Sequence, residues 1–319
     1  MPIVVIATER KKVFMNRNQA FKSFISHNWR LYILLIPTLI WFAIFMYAPI
    51  YGVIIAFKEF SPKLGVAASP WAEPVSKYFN QFFSTNIAIK TIMNTVLLSI
   101  YVLIFSFPIP VIFAVLLNQI KRAKTRKFIQ TVSYAPYFIS NVVIVSMMVV
   151  MFSVNGFVNT AIQSWGKNVI MFMVRPEYFR GMYVGSHIWK TTGFNSIIYI
   201  AALTSINPEY YEAAMIDGAT KFKQLLYIEL PLLIPTIVIM FILAIGKIMT
   251  VGYEQVYLMQ SNLNTPVSEV ISTYVYKTGL LNAQYSFATA IGLFNSVVNS
   301  ILVICANFLA KKFSGVSLF

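Results

Sequence analysis

The polar side chains that could do chemistry in this chain are few and scattered. Cys305 is the one cysteine and sits in an apolar run, and the two histidines, His27 and His187, are far apart. A single thiol forms no internal disulfide, and two distant imidazoles make no zinc pattern. All three read as inert core residues. The two Gly-Lys pairs, Gly166-Lys167 and Gly246-Lys247, lack the upstream glycine of a phosphate-binding loop. No nucleophile lies in a pattern with a base, so the chain offers no enzyme chemistry and no cofactor site of its own. Two features remain. Lys190, Lys247 and Glu254 are ionisable groups inside apolar runs, where a charge is costly and marks a site hypothesis. The stretch Glu212 to Pro231, EAAMIDGATKFKQLLYIELP, is a polar, small-residue interruption between two apolar blocks.

The elements that must position these residues are membrane helices. Of the residues, 58% are hydrophobic and 11% charged, against roughly 25% charged in a soluble domain. The apolar residues come in blocks of more than about twenty, the length that crosses a bilayer. Six spans are expected: 31–57, 92–119, 128–153, 183–206, 232–258 and 284–310. Pro108 and Pro110 predict a kink in the second. Residues 1–30 read as a basic tail with an amphipathic interfacial helix, its apolar face formed by Phe14, Phe21, Phe24, Ile25 and Trp29. They do not resemble a cleavable signal, because the charges follow the short apolar run rather than precede it. The remaining 31–319 form one transmembrane domain.

Charge gives the orientation. The chain carries 25 basic and 10 acidic residues, a net +15. With six spans both termini share one side, and that side collects fifteen Lys and Arg, five of them packed into 121–127. The other side has eight, and Lys190 and Lys247 lie in spans. The bias predicts N-in, C-in topology and places 207–231 in the cytoplasm. It also accounts for most of the positive charge, so no nucleic-acid partner is expected.

The 207–231 loop has its own local code. Asn207-Pro208-Glu209 is a helix start, with an N-cap, proline in the first helical position and an acid in the first turn. Gly218 should stop that helix in the left-handed conformation. Thr220 can cap a second short helix through Tyr227, which Leu230-Pro231 ends. A mere connection would need only a few residues.

The spacing Glu212-Ala213-Ala214, Gly218, Ile228, Leu230-Pro231, with Asp217 before the glycine, resembles the coupling-loop signature of permease subunits of binding-protein-dependent ABC importers. Leu31 to Pro37, Tyr47 to Gly52, Trp189-Lys190-Thr191-Thr192-Gly193-Phe194 and Tyr253-Glu254-Gln255 resemble the carbohydrate branch, and more narrowly its polysaccharide and oligosaccharide subfamily. The resemblance implies an all-α polytopic fold of the type I importer kind, with cytoplasmic coupling helices, in the bacterial plasma membrane. It implies a pore shared with a second, homologous permease, two cytoplasmic ATPase subunits that bind ATP and magnesium, and an extracytoplasmic binding protein delivering an oligosaccharide. Glu212, Ala213, Ala214, Asp217, Gly218, Ile228, Leu230 and Pro231 would then contact the ATPase.

The substrate path is expected among Lys190, Asn195, Tyr199, Lys247, Tyr253, Glu254, Asn295 and Asn299. The two lysines either face a uronate or sulfated sugar, or serve structure, with Lys190 snorkelling outward and Lys247 pairing with Glu254. The asparagines either meet sugar hydroxyls or join helices. Alternatives for the whole chain are an importer permease for a non-sugar solute and a stand-alone secondary transporter.

Overall fold

The computed structural model of the chain describes residues 17–315, 317 and 318, which fall into two compact units, Met1–Ile54 and Ile55–Phe319. Of the expected tail and interfacial helix, residues 1–16 lie outside the described residues. The described part is not a separate element: α1 runs unbroken over Arg17–Phe42, with Pro37 inside it. A π-turn, Ala43–Tyr47, and a 3-10 stretch, Ala48–Phe57, continue the first apolar run.

In the second unit, the segment after the first run is ordered by its own polar groups. Lys58 is buried, donates to Val66 O at 2.9 Å and Ala67 O at 3.0 Å, and lies over the Trp71 ring. It caps the carbonyls of the one-turn α2, Gly65–Ala68. After α3, Lys77–Phe83, the second span is α4, Asn86–Tyr101, then a π-turn and α5, Pro108–Asn118. The π-turn, Val102–Ser106, ends two residues before Pro108, where the missing N–H would break a regular helix.

The third run is not a straight span. The helix α6, Ala123–Tyr134, passes through a 3-10 turn at Pro136 and bends by 97° into α7, Asn141–Met151. Ile139 and Ser140 are extended, and the Ser140 hydroxyl caps the new helix by accepting from Val143 N at 3.4 Å. The short α8, Phe157–Ser164, leads to α9, Pro176–Thr204. At 29 residues α9 is about 44 Å long, enough for a hydrocarbon core of about 30 Å. Its polar residues keep it out of the set of helices apolar enough to cross a membrane by composition. Gly193 lets α6 and α9 approach: a Cβ there would overlap Ser133 O. The next residue, Phe194, stacks flat on Tyr137 at 3.8 Å.

The loop helix α10, Pro208–Ile216, is followed by α11, Lys221–Gln224, a π-turn, Leu225–Glu229, and α12, Leu230–Ile245. The fifth span therefore starts earlier and ends earlier than 232–258. Lys221–Ile245 is one helical run of 25 residues. It stops at Gly246, and a non-helical stretch leads to α13, Tyr253–Met259. Hydropathy runs on through Ile248, Met249 and Val251, so the break is not a polarity effect. Distant side chains satisfy its backbone: Asn299 donates to Gly246 O and accepts from Met249 N at 3.4 Å, and Ser99 donates to Ile248 O. Two short helices, α14, Thr265–Ser268, and α15, Ile271–Tyr276, precede α16, Tyr285–Ser314, which ends at Gly315 with φ 68°. Cys305 is exposed on α16 rather than in the core.

Four helices among the described residues are long and apolar enough to cross a membrane, and the bent α6–α7 pair is a fifth if counted as one span. Three apolar clusters hold the unit together. One joins Leu98, Ile144, Phe179, Tyr183 and Val256; a second joins Phe82, Met249, Ile271, Phe287 and Ile291; the third packs Ala114, Val115, Tyr199, Leu203 and Leu233.

Candidate functional site

The 207–231 loop is built from local signals. The Asn207 side chain accepts from Glu209 N at 3.1 Å, and Pro208 opens α10. Gly218 stands at φ 70°, and Ala219 N closes on Ala214 O at 2.8 Å. Gly218 thus ends α10 in the left-handed region, where a side chain is strained. Thr220 Oγ1 accepts from Lys223 N at 3.4 Å and caps α11. The second loop helix does not end at Leu230-Pro231. The Leu230 N–H reaches back to Leu225 O across the π-turn, and Pro231, which has no N–H to donate, follows immediately inside the continuous run, so the widened turn sits where a regular helix would be interrupted. The motif thus joins one short helix to the start of a long one.

Around that joint the loop presents an apolar knob. Ile216 is 87% exposed and Tyr227 77%, with Tyr210, Met215 and Phe222 also exposed. Glu212, Ala213, Asp217, Gly218 and Pro231 are exposed, whereas Ala214, Ile228 and Leu230 are half-buried. Tyr211 points the other way, and its hydroxyl donates to Glu229 Oε1 at 3.5 Å. Burial, then the Glu229 charge and this hydrogen bond, push the Tyr211 phenol up to about 12. Large apolar groups exposed on a polar loop mark a surface suited to contact with another protein or with a membrane.

A second constellation lies where α7, α9 and α13 meet. Lys190 Nζ donates to Asn141 Oδ1 at 2.5 Å, and Asn141 Nδ2 donates to Glu254 Oε2 at 2.6 Å. Asn141 opens α7 after the 97° bend, and its one sequence signal is a small polar pair, Ser140-Asn141, ahead of an apolar helix. Beside Glu254, Tyr253 packs against Tyr276 at 5.0 Å and Tyr257 at 6.1 Å, with Lys277 Nζ 6.0 Å from the Tyr257 ring centre. Charged and amide groups next to the exposed Tyr253 and the half-buried Tyr257 and Tyr276 suit a polyhydroxylated ligand.

The other expected path residues lie elsewhere. Lys247 is exposed at the break and forms no ion pair with Glu254; the ion pairs of the described residues are Lys77–Glu59 and Lys277–Glu269. Asn299 holds the break, which is a helix-joining role. Tyr199 is buried in the third cluster, where no sugar could stack on it. Asn195 is exposed on α9, and Asn295 buries an Oδ1 without a partner. A shallow depression of about 370 Å³ along α7 is lined by Val143, Ser146, Met147, Val150 and Met151 and offers almost no polar chemistry. Among the described residues no three His, Cys, Asp or Glu side chains gather to hold a metal ion.

Residues 111–315, from α5 to the end of α16, match the family of binding-protein-dependent transport system inner membrane components. The chain belongs to this family. The permease is 43% identical over 290 residues to Protein LplB of Bacillus subtilis, covering 91% of each chain. It is 40% identical to the polygalacturonan/rhamnogalacturonan transport system permease YteP of the same species, over 89% of this chain and 88% of the relative. In three dimensions it superposes with a TM-score of 0.85 on a chain of a bacterial ABC transporter involved in the import of the acidic polysaccharide alginate. Identity there is 38%, covering 92% of this chain and 99% of the other. The same kind of match, TM-score 0.84 and 37% identity over 93% of this chain, holds for the alginate transporter in complex with alginate pentasaccharide-bound periplasmic protein. The permease therefore has the type I ABC importer permease fold and is a multi-pass component of the inner membrane.

Proposed function

We propose that this permease forms half of the pore of an ATP-driven oligosaccharide importer and takes its mechanical drive through the 207–231 loop. The observation that carries the reading is the knob: Glu212, Ala213, Ile216 and Tyr227 are all exposed around the left-handed Gly218 joint, on a capped and ordered loop. The chain has no phosphate-binding loop, so the nucleotide, with its magnesium, belongs to a pair of cytoplasmic ATPase subunits. Six crossings with both termini inside, counting α9 and the bent α6–α7 pair, put the knob on the cytoplasmic side together with the basic residues 121–127. A second permease completes the pore, and an extracytoplasmic binding protein supplies the sugar. ATP-driven closure of the ATPase pair would move the permeases between two states as near-rigid bodies.

The relatives' names favour an oligosaccharide, and the alginate likeness favours an acidic one. In this chain Lys190 fits that charge: it is half-buried and held by a neutral amide rather than paired with a carboxylate.

The test is co-purification and transport from cells making the whole importer. The ATPase and the second permease are expected to travel with this chain, and Glu212→Lys or Gly218→Pro should abolish uptake while the chain still inserts. Uptake that survives both changes, or solute movement by the isolated chain without ATP, would sink the reading.

A further inference from the structure

The loop signature leaves the residue between Ile228 and Leu230 open. Here it is Glu229, 3% exposed in the last position of the π-turn. Its carboxylate is an acceptor hub. Asn118 Nδ2 donates to Oε1 at 3.2 Å, and Gln119 Nε2 reaches Oε1 at 3.1 Å and Oε2 at 3.2 Å. The Tyr211 hydroxyl adds the third donor. No Lys, Arg or His nitrogen of the described residues comes within the 4.0 Å of an ion pair.

A buried carboxyl group is costly unless its lone pairs are met, and an apolar side chain would fill the same space without that cost. What the carboxylate adds is a tie between three segments. The donors come from α10, at the exposed knob, and from the C-terminal end of α5, which lies 110 and 111 positions away in sequence. The loop is joined through the backbone to α9 before it and α12 after it. Only side-chain contacts can carry its displacement to α5.

We propose that Glu229 is a positioning residue that clamps the 207–231 loop to the end of α5, so that a push on the loop moves α5, α9 and α12 together. This rests on the loop being the ATPase contact. Losing the clamp leaves only the apolar packing of the third cluster to carry the loop's motion to α5, and ATP is then hydrolysed with less sugar moved.

The experiment uses the complete importer in proteoliposomes, with ATP hydrolysis and sugar uptake measured on the same sample. Glu229→Leu is expected to lower sugar moved per ATP by about fivefold or more. Glu229→Gln, which keeps an acceptor oxygen of the same reach, restores most of it. The pair Asn118→Leu with Gln119→Leu reproduces the loss, and combining it with Glu229→Leu adds nothing, as for residues acting through one contact. Gln119→Leu alone leaves Asn118 and Tyr211 as donors and should lower the ratio by about twofold; it decides the matter if the larger changes block assembly. An unchanged ratio in the variants that assemble, or losses that multiply on combination, overturns the proposal. A normal chain that recruits no ATPase overturns the reading of the loop instead.

Discussion

Gly193→Ala tests the contact on which the α6–α9 pair depends. The added methyl would fall on the carbonyl oxygen and carbon of Ser133, which belong to helix backbone and cannot rotate away. Relief requires α6 and α9 to separate, and the flat Tyr137–Phe194 stack on the adjacent residue resists that. Overpacking of this kind costs about 1–3 kcal/mol, and the gain in helix propensity from glycine to alanine returns at most about 1 kcal/mol. Gly185→Ala is the internal control. It lies in the same helix, yet an added Cβ meets nothing within 4 Å, so only the propensity gain remains. In detergent the unfolding midpoint should fall by roughly 2–6 °C for Gly193→Ala and hold or rise for Gly185→Ala. Midpoints that move together in the two variants would refute the close approach of α6 and α9.

Asn299→Leu should lower the same midpoint more, because it strips a donor from Gly246 O and an acceptor from Met249 N at once. The expected loss is about 2–4 kcal/mol, while Ser300→Leu on the exposed face of α16 should change little, and equal effects would remove Asn299 from the break. Lys190→Gln in the complete importer should reduce uptake of an acidic oligosaccharide by about tenfold and leave a neutral one of equal length nearly unchanged. Equal losses on both sugars would make Lys190 structural.

What the sequence makes legible is local. Asn207-Pro208, Gly218 and Thr220 act on neighbours within a few residues, and the structure places each as cap or stop. The two prolines of the second span announce the π-turn beside them in the same way. The break at Gly246 is hidden because its apolar residues continue the hydropathy of α12, and the groups that permit it, Ser99 and Asn299, come from other helices. The Lys190–Asn141–Glu254 chain spans 49 and 113 positions, and no periodicity connects such residues. Nothing in the sequence sets Glu229 apart from the other acids of the 207–231 loop. Only the fold turns it inward, by adding a π-turn in front of Pro231.

The break between α12 and α13 has one more consequence. A regular helix advances about 100° per residue, so the face of any position follows from its distance to another. That count lapses over residues 246–252 and restarts at Tyr253. Residues 230–245 and 253–259 are two independent azimuthal frames. A substitution or labelling scan read as a single helix would assign Tyr253, Glu254 and Tyr257 to faces they do not occupy. Read as two frames, the same scan would sort the pore side from the lipid side in each.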